Sequence, residues 1–173
     1  MKGRSVFFAL FFFFLLVAAL LSQVTLSGYT RIQLKEAGTG RKLLSKVLRD
    51  GEEVVMTWKN SLFGLNVTEV FEVKRGILVL TQITFAEPQG SVPPMVAPSD
   101  VEDLYQTGGA FTASGLSKPF QQVVYRIGEI GEPRMRIKAR EVAFQKEVGF
   151  GGSIVLTSRA PKAYELLLER DNQ

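Results

Sequence analysis

Asn66-Val67-Thr68-Glu69-Val70-Phe71-Glu72-Val73-Lys74, then Arg75-Gly76, then Ile77-Leu78-Val79-Leu80-Thr81-Gln82-Ile83-Thr84-Phe85: this stretch decides the fold class. Two runs rich in Val, Ile, Leu and Phe flank a two-residue link ending in Gly, which predicts a β-hairpin. Strand period places Val67, Glu69, Phe71 and Val73 on one face and Thr68, Val70, Glu72 and Lys74 on the other. Glu69 is the anomaly on the apolar face. A carboxylate there sits at the sheet rim or is buried with a partner, because an unpaired buried charge is costly.

The same signature extends outward. Residues 31–35 alternate, residues 42–48 fit a strand or a short helix, and residues 53–59 read as a strand carrying Trp58, the only Trp in the chain. Further strands are predicted at 121–127, 134–139, 141–146, 153–157 and 164–168. Pro88, Pro93, Pro94 and Pro98 make residues 87–98 a loop. Ser99-Asp100 is placed to start a short helix through Tyr105, since free N–H groups and the helix dipole favour a Ser cap and acids there. Residues 107–119, rich in Gly and Ser, are predicted to be irregular, and residues 149–152 to form a hairpin loop. About ten short strands with almost no long amphipathic helix indicate an all-β chain, an antiparallel β-sandwich or barrel-like domain after an N-terminal hydrophobic helix.

That helix is read from an unbroken apolar run at residues 6–21, which holds six of the 13 Phe. Lys2 and Arg4 precede it, as in the cationic flank of a secretory signal. Its 16 residues fall short of the roughly 20 that a span needs, but the uncharged Ser22-Gln23-Val24-Thr25-Leu26 could complete one. Val17-Ala18-Ala19 offers small residues for cleavage, yet two leucines follow at once. Residues 1–28 are therefore read as a signal-anchor or a cleaved signal peptide, with a buried core helix as the remaining option. Either main reading exports residues 29–173 as one β-domain, with Lys2 and Arg4 kept in the cytoplasm.

The 173 residues carry 21 Lys+Arg against 17 Asp+Glu. Setting Lys2 and Arg4 aside leaves 19 cations against 17 acids, a balance of +2, which gives no argument for nucleic acid. The chain has no Cys and no His. Disulfides, thiol nucleophiles, Cys/His zinc sites and imidazole bases are thereby excluded. No cofactor or metal is expected. Gly38-Thr39-Gly40-Arg41-Lys42 lacks the spacing of a phosphate loop, and the acids Asp100, Glu102 and Asp103 fit a helix N-terminus better than a calcium loop. Asn66-Val67-Thr68 has the form of a glycosylation sequon within a predicted strand. No Ser-x-x-Lys or Gly-x-Ser-x-Gly occurs to activate a serine.

Two groups of residues are candidates for a site. Asn60-Ser61 follows the Trp58 strand as a turn whose amide and hydroxyl satisfy local backbone, and Glu69 could accept bonds from it. Arg134, Arg136, Lys138 and Arg140 recur at strand period, opposite Met135, Ile137 and Ala139. Such a stripe is a solvated face paired with neighbouring acids, or a surface for anionic lipid headgroups or an acidic partner.

Trp58-Lys59-Asn60-Ser61, then Glu69 and Phe71, then Gly76-Ile77-Leu78-Val79-Leu80, with Thr107-Gly108-Gly109-Ala110-Phe111, resemble the domain of unknown function 1850 family over residues 50–157. Its members are commonly encoded beside TAXI-type TRAP solute transporters. Where family members carry His before the Ser, this chain has Asn60, so no imidazole role carries over. The resemblance implies a genomic context and not a reaction. It makes a non-catalytic extracytoplasmic accessory protein the leading expectation, with the cytoplasmic membrane and TRAP transporter subunits or anionic lipid as partners. A free-standing organic-acid binding module and a carboxylate-based hydrolase are the alternatives.

Overall fold

The computed structural model describes the backbone of residues 2–170; the side chains of residues 2–5, 9, 21–23 and 167–170 lie outside the described set, those of Lys2 and Arg4 included. The chain is mostly β. After α1 (Lys2–Gln23) come β1 (Tyr29–Glu36), β2 (Lys42–Arg49), β3 (Glu53–Lys59), β4 (Asn66–Lys74) and β5 (Ile77–Ala86). A short β6 (Met95–Val96) and a 3₁₀ turn (Pro98–Asp100) lead to α2 (Val101–Thr107) and β7 (Phe111–Phe120). Then follow β8 (Gln122–Arg126), β9 (Arg134–Ile137), β10 (Arg140–Ala143), α3 (Phe144–Val148), β11 (Ser153–Arg159) and α4 (Ala163–Arg170).

The strands form two sheets, ordered β2-β1-β11-β8 and β10-β9-β3-β4-β5-β7-β6. Neighbours are antiparallel except β6 and β7. Ile32, Leu34, Ile154 and Leu156 of the first sheet share one apolar cluster with Val54, Met56, Phe71, Met135 and Ile137 of the second. A second cluster, around Val67, Ile83, Phe85 and Phe111, fills the β4–β5–β7 end. The opening hairpin forms as predicted, with Arg75-Gly76 between β4 and β5. Its alternation breaks inside β5, where Leu80 pairs with Phe71 but Gln82 with Val70. The extra residue, Thr81, donates its hydroxyl to the Val70 carbonyl at 3.1 Å. This bulge reverses the parity of the strand, so that Leu78 and Leu80 pack into one cluster and Ile83 and Phe85 into the other.

Two turns meet the start of β1 at one end. The buried Thr30 hydroxyl accepts the Gly76 N–H at 2.9 Å and donates to Asp50 at 3.3 Å, and Asp50 also accepts the Arg75 N–H at 3.0 Å. The segment between α1 and β1 is fastened there too. Thr25 bridges Lys162, Leu26 N–H donates to the Pro161 carbonyl at 3.0 Å, and Ala163 N–H donates to the Val24 carbonyl at 2.9 Å.

Several expectations are corrected. Residues 111–120 are a strand, not irregular chain: β7 pairs with β5 on both sides of a break at Ser114 to Lys118, next to Gly115 at φ 76°. Residues 134–139 are not one strand. Lys138 adopts φ 55°, and the chain reverses through Lys138-Ala139 into β10. The expected strand 141–146 therefore divides into β10 and α3, whose Phe144 is fully buried. Residues 149–152 link α3 to β11 rather than two hairpin strands. Residues 164–168 lie in α4 because the Glu165 carboxylate accepts the Lys162 N–H at 2.8 Å, half of a capping box, while Arg31 and Arg159 hold it against the sheet. The helix after Ser99 forms, but Ser99 donates to Asp100 and caps no backbone N–H.

The helix α1 is not a core helix. Phe7, Phe8, Phe11, Phe12, Phe13 and Phe14 are each more than half exposed. Among the described residues, no helix is long and apolar enough to cross a membrane.

Candidate functional site

At the end of the domain opposite the Thr30 turns, a cleft of about 620 Å³ opens between the sheets. One wall is the end of β3 and its following turn, residues 58–62; the other is Val124, Tyr125 and Arg126 of β8; residues 128–131 close the third side. Asn60 builds the first wall. Its side-chain oxygen accepts the N–H groups of Leu62 (2.9 Å) and Phe63 (3.2 Å), while its own backbone bonds to Leu65 and Gly64. The Lys59 N–H donates to the Gly131 carbonyl at 2.7 Å, which fastens the third side to the first. Trp58 is half-buried, packs against both apolar clusters and meets Phe85 edge-on at 6.4 Å.

Glu69 lies under this cleft. It is opposite Met56 on β3 and Ile83 on β5, at the seam between the two clusters. Tyr125, which lines the cleft, donates its hydroxyl to Glu69 at 3.4 Å. Burial pushes the Glu69 carboxyl up to about 7, against the opposing pull of the Tyr125 hydrogen bond. Burial likewise raises the Tyr125 phenol, and the Glu69 charge raises it further. Tyr105 is raised by burial and then by the same charge, which places all three groups in one electrostatic neighbourhood. Near neutral pH the acid thus changes between a neutral donor and an anion.

The cleft is amphipathic. Trp58, Tyr125 and Met56 supply apolar surface, Lys59 and Arg126 supply positive charge, and Glu129 supplies one acid. An aromatic wall with two cations suits a small organic anion. Among the described residues, no group of three or more acids that could hold a metal ion is present.

The structure divides the residues singled out from sequence. Asn60 and Ser61 line the cleft and Glu69 lies beneath it, but Asn60 spends its side-chain oxygen on the turn and Glu69 bonds to Tyr125. The single polar cluster expected of them does not form. The basic stripe is broken by the Lys138 turn. Arg134 and Arg136 share the outer face of β9, whereas Arg140 stands opposite Ile137, on the other face. Arg134 pairs with Glu132 (3.2 Å) and Glu141 (3.7 Å), and Lys138 with Glu52 (3.2 Å). Tyr125 and Arg126 went unrecognised in the sequence. The signal available for Tyr125 was its place on the inner parity of β8, but its partner lies 56 residues away.

No family model matches the chain, and no curated protein or solved structure matches it.

Proposed function

We propose that this chain is a non-catalytic, extracytoplasmic accessory protein, anchored in the cytoplasmic membrane by α1, whose β-domain binds a small organic acid in the cleft at its far end. The observation that carries the reading is the cleft itself: an aromatic wall of Trp58 and Tyr125 with Lys59 and Arg126 at its sides. We read the two sheets as a β-sandwich left open at that end. The anchor reading rests on the apolar run at residues 6–21 and on the exposure of its phenylalanines. The family resemblance supports a TRAP-type transporter as the partner that would receive the bound acid, and co-purification of the full chain with transporter subunits tests that part.

A carboxylate-based hydrolase has less support. Glu69 is partnered by a phenol and lies beneath the cleft without lining it, which is not the pair of carboxylates flanking a scissile bond that such a hydrolase needs.

Binding is tested by equilibrium dialysis of the full chain in detergent against small mono- and dicarboxylates and their neutral amides. Saturable binding of an acid but not its amide is expected, weakened by about tenfold or more in the Lys59→Gln/Arg126→Gln variant, as loss of charge-assisted hydrogen bonds requires. Equal retention of acid and amide, or of neither, rejects the reading.

A further inference from the structure

We propose that the end of the domain from which α1 emerges is a contact surface for an anionic lipid bilayer, made by the turn cations Arg49, Lys74, Arg75 and Arg140, so that the cleft opens away from the membrane. The inference rests on the reading of α1 as an anchor and is independent of what the cleft binds.

The strand register sets the geometry. Tyr29 starts β1 opposite Arg49 at the end of β2, and Arg159 ends β11 opposite Arg31. The Thr30–Asp50–Arg75–Gly76 hydrogen bonds bring the β2–β3 and β4–β5 turns to that same end. The β9–β10 turn joins them, because Ile137 pairs with Val54 at the start of β3 and Lys138 reaches Glu52. All three turns therefore lie beside the point where α1 enters. The cleft residues occupy the other ends of their strands: Trp58 near the end of β3, Arg126 at the end of β8 opposite Ser153.

The connection is short. Five residues separate α1 from β1, and three of them are hydrogen-bonded or bridged to residues 161–163. A domain fastened this way to a membrane helix is held with one end against the headgroups, within the reach of unscreened charge. The charge at that end is fitted to it. Asp50 is engaged by Thr30 and the Arg75 N–H, Glu52 by Lys138 and the Arg49 N–H, and Glu165 by Arg31 and Arg159. Arg49, Lys74, Arg75 and Arg140 are exposed, and among the described residues none of them makes a side-chain ion pair; the exposed Glu53 and its half-buried cross-strand neighbour Glu72 are the acids left unpaired beside these four cations. Tyr29 and the exposed Tyr164 flank the entry of α1, the level at which amphipathic rings settle in a bilayer interface. Of the sequence stripe, Arg140 lies in the turn at this surface; Lys138 is neutralised by Glu52, Arg136 stands back along β9 opposite Val55 and Glu141, and Arg134 stands at the far end, opposite Thr57.

The chain has no native Cys, so a nitroxide can be placed singly through Ala139→Cys, in the turn beside Arg140, or Ser61→Cys, on the cleft rim. The full-length protein is reconstituted into phosphatidylcholine vesicles with or without phosphatidylglycerol, each carrying a trace of headgroup-linked nickel chelate. Faster nitroxide relaxation at residue 139 than at residue 61 is expected with phosphatidylglycerol, and loss of that contrast in pure phosphatidylcholine and at high salt. The same loss is expected when Arg49, Lys74, Arg75 and Arg140 are all changed to Gln. Flotation with both vesicle types but equal relaxation at 139 regardless of lipid charge or salt overturns the contact and leaves the anchor standing. Failure to float with either vesicle overturns both.

Discussion

Raising the pH across neutrality should weaken this fold through Glu69. Its carboxyl titrates at about 7 in the folded chain, against an ordinary value of 4.5, because burial at the seam of the two apolar clusters disfavours the anion. The folded state therefore holds the proton more tightly than the unfolded state does. That preference contributes fully below the unfolded value and is lost as the pH rises through the folded one. The interval from 4.5 to about 7 sets a ceiling of about 3.4 kcal/mol, and residual solvent access under the cleft brings the expected loss to about 2–3 kcal/mol. Glu165 works in another window. Burial raises it, but the Arg159 hydrogen bonds, the Lys162 N–H and the charges of Arg31 and Arg159 together outweigh that and hold it below the usual range. Its contribution is lost only as the pH falls through its lowered folded value, beneath the Glu69 window. The assay is guanidinium unfolding of the full chain in detergent, followed by Trp58 fluorescence at intervals from about pH 5 to about pH 8. Wild type should lose stability steadily across that interval. Glu69→Gln should be nearly flat and the more stable of the two at the alkaline end. Stability that is level or rising with pH, or an unchanged slope in the variant, refutes the reasoning.

Gly76→Ala should cost more than about 2 kcal/mol, because Gly76 has φ 81° and a Cβ there would stand 2.5 Å from the Ala160 nitrogen; thermal melts check it. Glu165→Gln should cost about 2 kcal/mol, and hydrogen exchange should rise selectively at residues 24–26, Lys162 and Ala163, which the Glu165–Arg31–Arg159 group holds beside the sheet. Trp58→Ala should cost about 2–3 kcal/mol, below the 3–5 of a fully buried aromatic, since its indole is shared between core and cleft; a loss under about 1 kcal/mol in denaturant titration would deny it a packing role.

Much of the fold was legible because strand period is written in residues two apart. β3, β4 and β5 emerge within a residue of their sequence-derived bounds, and the anomaly of Glu69 on an apolar face proved to be a half-buried acid with a partner. What failed was parity and reversal. A stripe of cations at 134–140 reads as one strand unless Lys138, a non-Gly residue, is known to take positive φ. α4 was hidden because its cap pairs Glu165 with a lysine backbone N–H in place of the usual Ser or Thr. β7 was hidden because its Gly and Ser residues sit at a break in register. The site was half legible. Asn60 and Ser61 announce a turn locally, but Tyr125 and Arg126 reach the cleft only through the pairing of β8 with β11, a contact no local pattern encodes.

The central claim, that the cleft takes up an organic acid, meets its most direct test at Trp58. As the only Trp, it gives a single indole N–H signal in an NMR spectrum of the full chain in detergent. Titration with a carboxylate retained in dialysis should move that signal saturably, with the midpoint of the binding curve, and the Lys59→Gln/Arg126→Gln variant should need about tenfold or more ligand for the same shift. An indole signal that stays fixed while the acid binds would place binding elsewhere and contradict the account.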